Sequence, residues 1–303
     1  MTIRKVLIIG YGSIGTRHYK ILSKFKGVKV IKIITELRIV KKLKIEFRKK
    51  EIQDYNPDYI VICSETNLHF KHLNIINSFL KKKIILVEKP IFSDLKKNIK
   101  NINNQIYVGY NLRFHPLLKY LKRYLSQSND KLLSVNIYAG SYLPNWRKNT
   151  NYVKSYSASK RKGGGVELDL SHEIDYVSWL FGKFNILKII NSKISSLKIS
   201  SNDHLTLLAN FSKKSFLNIS LNYYSKIPYR KMIIDYDQKT IHIDLIENKL
   251  KISHINPKKN IIKKIINFNR NDTYIDQHSS IFKQNFNNVC SMNEAINYLR
   301  LLK

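Results

Sequence analysis

The stretch Leu7–His18 reads LIIGYGSIGTRH, and it decides the fold of the first part of the chain. Apolar residues at Val6–Ile9 predict a buried strand. After the glycines, the apolar positions Tyr19, Ile21 and Leu22 have the spacing of a helix. A strand, a glycine-rich turn and a helix in this order are typical of a nucleotide-binding unit.

The glycines of this stretch form the pattern G-x-G-x-x-G, and each has a physical task. Gly10 permits the tight turn, Gly12 lets backbone N–H groups approach a pyrophosphate, and Gly15 lets the helix pack closely on its strand. Ser13 and Ile14 begin the helix, whose N-terminus attracts an anion. The pattern predicts a dinucleotide site, and a purely structural glycine turn is the alternative.

The end of the second predicted strand bears on the choice between NAD and NADP. Apolar alternation predicts this strand over Val28–Ile34, followed by Thr35 and Glu36. An acidic residue about 20 positions beyond the glycine turn binds the adenosine ribose and favours NAD. Glu36 lies one place late, and Arg38 is close enough to meet a 2′-phosphate. The cofactor is therefore NAD or NADP, unless this pair is only a solvated loop.

Two further predicted strands, Tyr59–Cys63 and Ile84–Val87, end in residues suited to a ligand site. Open parallel sheets bind ligands at the carboxyl ends of their strands. The first strand is followed by polar residues that we expect to line the cofactor: Ser64, Glu65, Thr66, Asn67 and His69. The second is followed by Glu88-Lys89-Pro90, where Pro90 biases Lys89 to an extended backbone. Lys89 is thereby a candidate to relay a proton, with a surface lysine as the alternative.

The hydrophobic pattern changes near Asn111. Beyond this residue several segments alternate apolar and polar side chains, which predicts an antiparallel sheet with one buried face. These segments are Leu133–Ala139, Leu205–Phe211, Leu217–Tyr223 and Thr240–Leu245. We therefore expect two domains, 1–111 and 112–303, with the C-terminal helix of 292–302 packing back onto the body.

The second predicted domain contains one segment suited to acid–base chemistry, GGGVELDLSHEID at Gly163–Asp175. The triple glycine predicts a mobile or ligand-contacting loop. Asp169 and His172 are three residues apart, so they are expected to share one helical face and work as an acid–base pair. The alternative is that Asp169 caps the helix and His172 is a buried polar residue.

Upstream of that segment lies a loop rich in aromatic and cationic side chains, including Trp146, Arg147 and Tyr152. Such side chains suit a sugar ring together with a phosphate or carboxylate. An ordinary surface loop is the equal alternative.

Composition limits the other classes of function. The 54 Lys and Arg residues against 21 Asp and Glu give a formal net charge of +33. The charge is scattered in short runs, so we expect solvated surface lysines and no specific nucleic-acid site. The two cysteines, Cys63 and Cys290, form no metal spacing. No stretch reaches the roughly 20 apolar residues of a membrane span, and Met1–Arg4 leads into a strand, which predicts a cytoplasmic protein.

Taken together, GYGSIG, SETNLH, EKP, GYNLRFHP and GGGVELDLSHEID resemble the glucose-fructose oxidoreductase, inositol dehydrogenase and MocA (Gfo/Idh/MocA) family. The resemblance implies an α/β Rossmann N-terminal domain and a C-terminal α+β domain with a mostly antiparallel open sheet. It also implies a homo-oligomer, a dimer or tetramer. The implied activity is NAD(P)-dependent hydride transfer to or from the carbinol of a sugar or nucleotide sugar. The motif GYNLRFHP resembles the branch associated with surface-polysaccharide sugars.

The resemblance assigns site residues by motif. Lys89 matches the lysine that transfers a proton and touches the nicotinamide ribose, and His172 matches the acid–base histidine. Asp169 matches an orienting acid, although the family spacing D-x-x-x-H is D-x-x-H here. Glu88 belongs to the cofactor side of the site, and a sugar pocket is expected from Arg113, Trp146, Arg147 and Tyr152. Redox-assisted elimination or epimerisation, a non-catalytic dinucleotide sensor and nucleic-acid binding are the competing hypotheses.

Overall fold

The architecture is taken from a computed structural model, which describes residues 3–34, 48–93, 99, 101–147 and 150–302. The predicted cofactor residues Thr35, Glu36 and Arg38 lie outside the described residues. The sequence also predicts a charged helix over residues 41–54, and the first half of that range lies outside the described residues.

The chain forms the following elements. The strands are β1 (Lys5–Ile9), β2 (Val30–Ile34), β3 (Tyr59–Ile62), β4 (Ile84–Val87), β5 (Gln105–Val108), β6 (Leu132–Gly140), β7 (Asn185–Ser192), β8 (His204–Ser212), β9 (Ser215–Asn222), β10 (Tyr229–Tyr236), β11 (Lys239–Asp244), β12 (Lys249–His254), β13 (Ile261–Lys264) and β14 (Cys290–Ser291). The α-helices are α1 (Ser13–Leu22), α2 (Lys49–Tyr55), α3 (Thr66–Phe79), α4 (Pro116–Ser126), α5 (Val166–Asp169), α6 (His172–Phe181), α7 (Arg270–Phe282) and α8 (Met292–Arg300).

The chain divides into two compact units. The first comprises Met1–Asn111 together with Asn271–Arg300, and the second comprises Leu112–Arg270 with Leu301–Lys303. The segment that rejoins the first unit contains most of α7, together with β14 and α8. Among the residues described, no helix is long and apolar enough to cross a membrane.

The first unit is a Rossmann domain built on a six-stranded sheet with the order β14-β5-β4-β3-β1-β2. β1 to β5 are parallel, and β14 joins the β5 edge antiparallel. The residues of β3 and β4 are buried at every position, as expected of strands covered on both faces. Strand order reverses between β1 and β3, so the turns after these two strands lie side by side, where open α/β sheets bind ligands.

The second unit is built on an eight-stranded sheet with the order β13-β12-β11-β10-β6-β9-β8-β7. All neighbours are antiparallel except β6 and β9, which run parallel. Alternate residues along these strands are buried, and Val135, Leu207 and Ile219 have no exposed surface. The mostly antiparallel open sheet with one buried face is the fold class expected of the second half of the chain.

The segment that contains Asp169 and His172, between β6 and β7, differs from the predicted single helix. The sequence predicts one helix carrying Asp169 and His172 on the same face, but α5 ends at Asp169 and α6 begins at His172. Ser171 precedes α6 without a side-chain capping bond. The chain breaks at Leu170, where φ is −101° and ψ is 27°, so the two side chains stand on consecutive helices and the three-residue helical spacing does not apply.

Candidate functional site

The glycine turn after β1 has the geometry of a phosphate site. Gly10 has φ +98°, and a Cβ placed on it would lie 2.6 Å from the backbone nitrogen of Ser64. A Cβ on Gly15 would lie 2.2 Å from the carbonyl oxygen of Gly10. These two glycines are therefore required by the close approach of β1, α1 and the turn after β3. Cys63 fills the space behind them as a buried hydrophobe, with its Sγ 3.1 Å from the Gly10 oxygen.

Gly12 differs from the other two glycines because no described atom lies within 4 Å of its ideal Cβ position. It precedes α1 without a side-chain capping bond, and the first intrahelical bond runs from the Thr16 nitrogen to the Gly12 oxygen. The N–H groups of Ser13, Ile14 and Gly15 thus lie in the uncapped first turn. An open position at a ten-residue helix N-terminus fits the pyrophosphate of a dinucleotide.

The polar turn after β3 is held in place by buried histidines. Ser64 Oγ lies 2.9 Å from Nδ1 of His72, and Thr66 is buried near the start of α3. His69 is 1 % exposed, with Nε2 3.0 Å from the Ser64 oxygen and Nδ1 3.0 Å from the Pro90 oxygen. Burial lowers its pKa, against the opposing effect of these carbonyl contacts. Its ring therefore links the turn after β3 to the turn after β4, a contact that sequence alone did not indicate.

Glu88, Lys89 and Pro90 follow β4, and the Lys89–Pro90 peptide bond is cis. Glu88 is 6 % exposed, and its Oε1 lies 2.9 Å from Nε2 of His18 in α1. Its Oε2 accepts the backbone N–H of Lys89 at 3.3 Å. A Cβ on Gly109 would lie 2.9 Å from Glu88 Oε1, so the carboxylate packs against a glycine backbone at the end of β5.

In the second unit, Asp169 is a buried carboxylate between two tyrosines. Tyr223 donates its hydroxyl to Asp169 Oδ2 at 2.6 Å. Tyr156 also hydrogen-bonds to Asp169, and the negative charge of that carboxylate, followed by burial, raises the pKa of Tyr156. Burial and then Asp169 raise the pKa of Tyr223 well above its usual value. Both phenols are therefore protonated donors at neutral pH, and Asp169 is the acceptor that they share.

Three of the four predicted sugar-pocket residues lie together. Trp146, Arg147 and Tyr152 line one small cleft of the second unit, together with Ser155 and Ser157. The cleft has room for about one water molecule, so a sugar ring does not fit inside it as it stands.

The aromatic cluster continues from this cleft to Asp169. The ring of Trp146 packs edge-on against Tyr223 at 5.2 Å, and the guanidinium of Arg147 lies over Tyr156 at 5.4 Å. The cleft residues and the two tyrosines of Asp169 thus form one wall within the second unit.

Arg113 corrects the prediction for the fourth pocket residue. Its side chain is 1 % exposed, and its guanidinium contacts both carboxylate oxygens of Asp175 in α6, with the shortest distance at 2.8 Å. A buried, paired guanidinium is occupied by its carboxylate, so we assign Arg113 to holding α6. The neighbouring Glu173 forms a similar pair with Arg230, at 2.8 Å.

The triple glycine also has a different role from the predicted mobile loop. Gly163, Gly164 and Gly165 are buried. A Cβ on Gly164 would lie 2.3 Å from the Tyr156 oxygen, and one on Gly165 would lie 2.6 Å from Glu167 Oε2. The glycines allow this turn to pack against the backbone at Tyr156 and under the Glu167 carboxyl. They thereby bring α5, and Asp169 at its end, against the cluster of tyrosines.

The sequence reasoning missed residues that partner the predicted ones. His18, Tyr156 and Tyr223 carry contacts to Glu88 or Asp169, yet no motif singled out His18 or Tyr223. One signal was present for His18, which stands three residues after Gly15 on the inward face of α1, beside Ile21 and Leu22. A histidine on an otherwise apolar inward face needs a buried partner.

Comparison with known proteins agrees with the geometry of the first unit. Residues 4–105 match a family model described as "Oxidoreductase family, NAD-binding Rossmann fold", the Gfo/Idh/MocA model. The matched residues resemble the Gfo/Idh/MocA family. The similarity includes the glycine turn, the turn after β3 and Glu88-Lys89-Pro90, because all three lie within the matched residues.

Two curated relatives are similar to part of the chain. An uncharacterised oxidoreductase of Synechocystis is 30 % identical over 139 residues, which are 42 % of this chain and 36 % of the relative. The myo-inositol 2-dehydrogenase of Thermotoga maritima is 25 % identical over 197 residues, 59 % of this chain and 55 % of that enzyme. The alignments therefore span between about a third and just over half of the relatives' lengths.

Solved structures extend the similarity of fold to the whole chain. The UDP-N-acetylglucosamine 3-dehydrogenase of Acidithiobacillus ferrooxidans superposes with a TM-score of 0.75 and 14 % identity. The superposition covers 100 % of this chain and 96 % of that one. At this identity the match establishes the fold of both units.

Proposed function

We propose that this protein is an NAD(P)-dependent oxidoreductase that acts on a carbinol group of a sugar or nucleotide sugar. The observation that carries the proposal is the open position at Gly12 before an uncapped helix, within a family of NAD-binding Rossmann domains. The relatives point to the substrate class, since one is named as a myo-inositol dehydrogenase and one as a nucleotide-sugar dehydrogenase.

The residues of the first unit would hold the cofactor. We assign the pyrophosphate to the N–H groups of Gly12, Ser13 and Ile14, and the nicotinamide end to the turns after β3 and β4. These turns contribute Ser64, Glu65, Thr66, Asn67 and Lys89. When bound, the nicotinamide supplies hydride acceptance or donation, which no amino-acid side chain provides. We expect the segment around Glu36 and Arg38 to determine the preference between NAD and NADP.

The protein's own residues move the proton of the substrate hydroxyl. His172 begins α6, is 9 % exposed and is the general base for oxidation, and it returns the proton in the reverse direction. Lys89 assists this transfer from the cofactor side. Asp169 accepts a hydrogen bond from Tyr223 and orients the substrate or the histidine. Trp146 and Tyr152 offer aromatic surface to a sugar ring, and Arg147 offers a cation to a phosphate or carboxylate.

The test is a substrate screen that follows nicotinamide absorbance. Purified protein is offered NAD⁺ and NADP⁺ with myo-inositol, levoglucosan and UDP-N-acetylglucosamine, and the reverse reactions are tested with the reduced cofactors. We expect absorbance changes with at least one compound of this class. Binding of cofactor followed by conversion of a sugar with no net absorbance change would instead establish internal redox catalysis, such as epimerisation. Absence of any cofactor binding contradicts the proposal.

A further inference from the structure

Glu88 is the end of a chain of buried polar groups in the first unit. His18 Nε2 contacts Glu88 Oε1 at 2.9 Å, and His18 Nδ1 contacts Nε2 of His278 in α7 at 2.8 Å. His278 Nδ1 contacts the hydroxyl of Tyr59 in β3 at 3.0 Å. His18, His278 and Tyr59 have no exposed surface. The four groups thus connect α1, α7, β3 and the turn after β4, and of the four only Glu88 has any exposed surface.

If His18 is neutral, the chemistry of the groups gives the hydrogen bonds one direction. An ionised carboxylate only accepts, so His18 must present Nε2–H to Glu88. A neutral His18 then accepts at Nδ1, and the donor is Nε2–H of His278. A neutral His278 in turn accepts at Nδ1 from the Tyr59 hydroxyl. Every polar atom of the chain is satisfied when both histidines are neutral and carry their proton on Nε2.

The surroundings agree with a neutral His278 and a protonated Tyr59. Burial lowers the pKa of His278 well below its usual value. Burial, then the negative charge of Glu88, raise the pKa of Tyr59 well above its usual value, so it stays a donor. The other ring that faces His18 is Tyr274, edge-on at 5.6 Å with Arg17 over it, and Phe25 and Phe282 close the space around His278 and Tyr59.

We propose that the buried chain Tyr59–His278–His18–Glu88 is a one-way hydrogen-bond relay that fixes Glu88 and thereby positions Lys89. Glu88 holds the following residue directly, because its Oε2 accepts the Lys89 backbone N–H at 3.3 Å. Gly109 leaves room for the carboxylate, since a Cβ on it would lie 2.9 Å from Glu88 Oε1. The four groups are positioning residues, and the inference rests on the role proposed for Lys89.

The relay is tested first without cofactor, by long-range ¹H–¹⁵N NMR of the protein labelled with ¹⁵N-histidine. Variants His18→Asn and His278→Asn assign the two spin systems. We expect both rings to be neutral Nε2–H tautomers at neutral pH. An imidazolium or an Nδ1–H tautomer at either position overturns the relay.

Tyr59→Phe then removes the first donor. The Nδ1 lone pair of His278 becomes free to accept a proton, so its titration midpoint is expected to rise by about one pH unit. The matched control is Tyr55→Phe, which also removes a tyrosine hydroxyl bonded within the first unit, to the oxygens of Val6 and Val30. An unchanged His278 midpoint in Tyr59→Phe, or the same shift in the control, overturns the relay.

The positioning role is tested by kinetics with the compound among myo-inositol, levoglucosan and UDP-N-acetylglucosamine that is turned over. Glu88→Gln and Tyr59→Phe are expected to lower kcat by about 10-fold or more, as displaced catalytic groups do, with KM little changed. Tyr55→Phe should keep kcat even if it unfolds at a lower temperature.

A double-mutant comparison separates this inference from the proposed function. In a Lys89→Ala background the relay variants should cause no further loss of kcat, because they act through Lys89. Full additivity, or a kcat of Tyr59→Phe equal to that of Tyr55→Phe, overturns the positioning role alone. An undiminished kcat in Lys89→Ala overturns the role of the lysine, and the NMR result then still decides whether the relay exists.

Discussion

Buried histidines are the residues that most affect the chemistry of this chain. His115 shows the effect in a simple setting, because its ring serves as the N-cap of α4. Its Nδ1 accepts the Leu117 N–H at 3.2 Å, and Nε2 contacts Asn248 Oδ1 at 3.1 Å. An imidazolium has no lone pair for Leu117, so the cap requires a neutral ring. Burial lowers the pKa of His115 to about 4.

This pKa predicts a pH dependence of stability. In the unfolded chain His115 takes up a proton below about pH 6.5, whereas the folded protein resists protonation down to about pH 4. The unfolded state therefore binds more protons in this window, and the free energy of unfolding falls as the pH is lowered, by up to about 1.4 kcal/mol per pH unit for one group.

The measurement is urea unfolding at several pH values for the wild type and His115→Asn, which retains a capping side chain without a titrating group. We expect the variant to lose less stability between about pH 6.5 and about pH 4. His69 and His278, whose pKa values are also lowered, contribute equally to both proteins. If the free energy of unfolding changed equally with pH in both proteins, His115 would take up its proton as readily in the folded state as in the unfolded chain.

Local sequence rules could predict residues whose partners are near in the chain. The roles of Gly10 and Gly15 follow from the G-x-G-x-x-G spacing, and the structure gives each a close backbone neighbour. The contact between His18 and His278 joins residues 260 positions apart, and no local pattern reports such a pair. The role of Arg113 could not be predicted for the same reason, because its partner Asp175 stands 62 positions away.

At the scale of elements, regular patterns predicted strands well and irregular ones did not. The strand over Ile84–Val87 has the predicted bounds. β10 was missed because Arg230, Lys231 and Asp235 interrupt its apolar residues, although alternate side chains are buried. The helix expected across Asp169 and His172 is two helices, because the break at Leu170 has no proline or glycine to signal it.

The outer face of the second unit's sheet leads to a prediction about assembly. Leu208, Phe216, Tyr138 and Ile233 alternate with buried residues on four adjacent strands, and each is about two-fifths exposed. Apolar side chains gathered on one open sheet face are typical of protein contacts. We therefore predict a homo-oligomer formed through this face.

Analytical ultracentrifugation checks this prediction. The wild type should sediment as a dimer or tetramer, and the double variant Leu208→Lys/Phe216→Lys as a monomer with unchanged circular dichroism, because like charges would then face each other. Ile255→Lys is the control, since Ile255 is 72 % exposed but lies beyond the end of β12. A monomeric wild type at micromolar concentration would refute the assembly.

For the molecule as a whole, amino-acid composition indicated less about function than the motifs did. A net charge of +33 is compatible with many partners, and its scatter along the chain argues against a dedicated nucleic-acid surface. The fold class followed from the change of hydrophobic pattern near Asn111, because period and strand spacing reflect which faces are buried. The substrate did not follow, since it depends on side chains that the fold brings together.

We propose that Lys89 and His172 each transfer a proton in the proposed reaction. The most direct measurement compares kcat and NADH affinity of the wild type, Lys89→Ala and His172→Ala with the compound found by the substrate screen. We expect each variant to lose at least about 100-fold in kcat, because an acid–base group has been removed. Each variant should still bind NADH nearly as well as the wild type. Undiminished turnover in both variants would contradict the proposal.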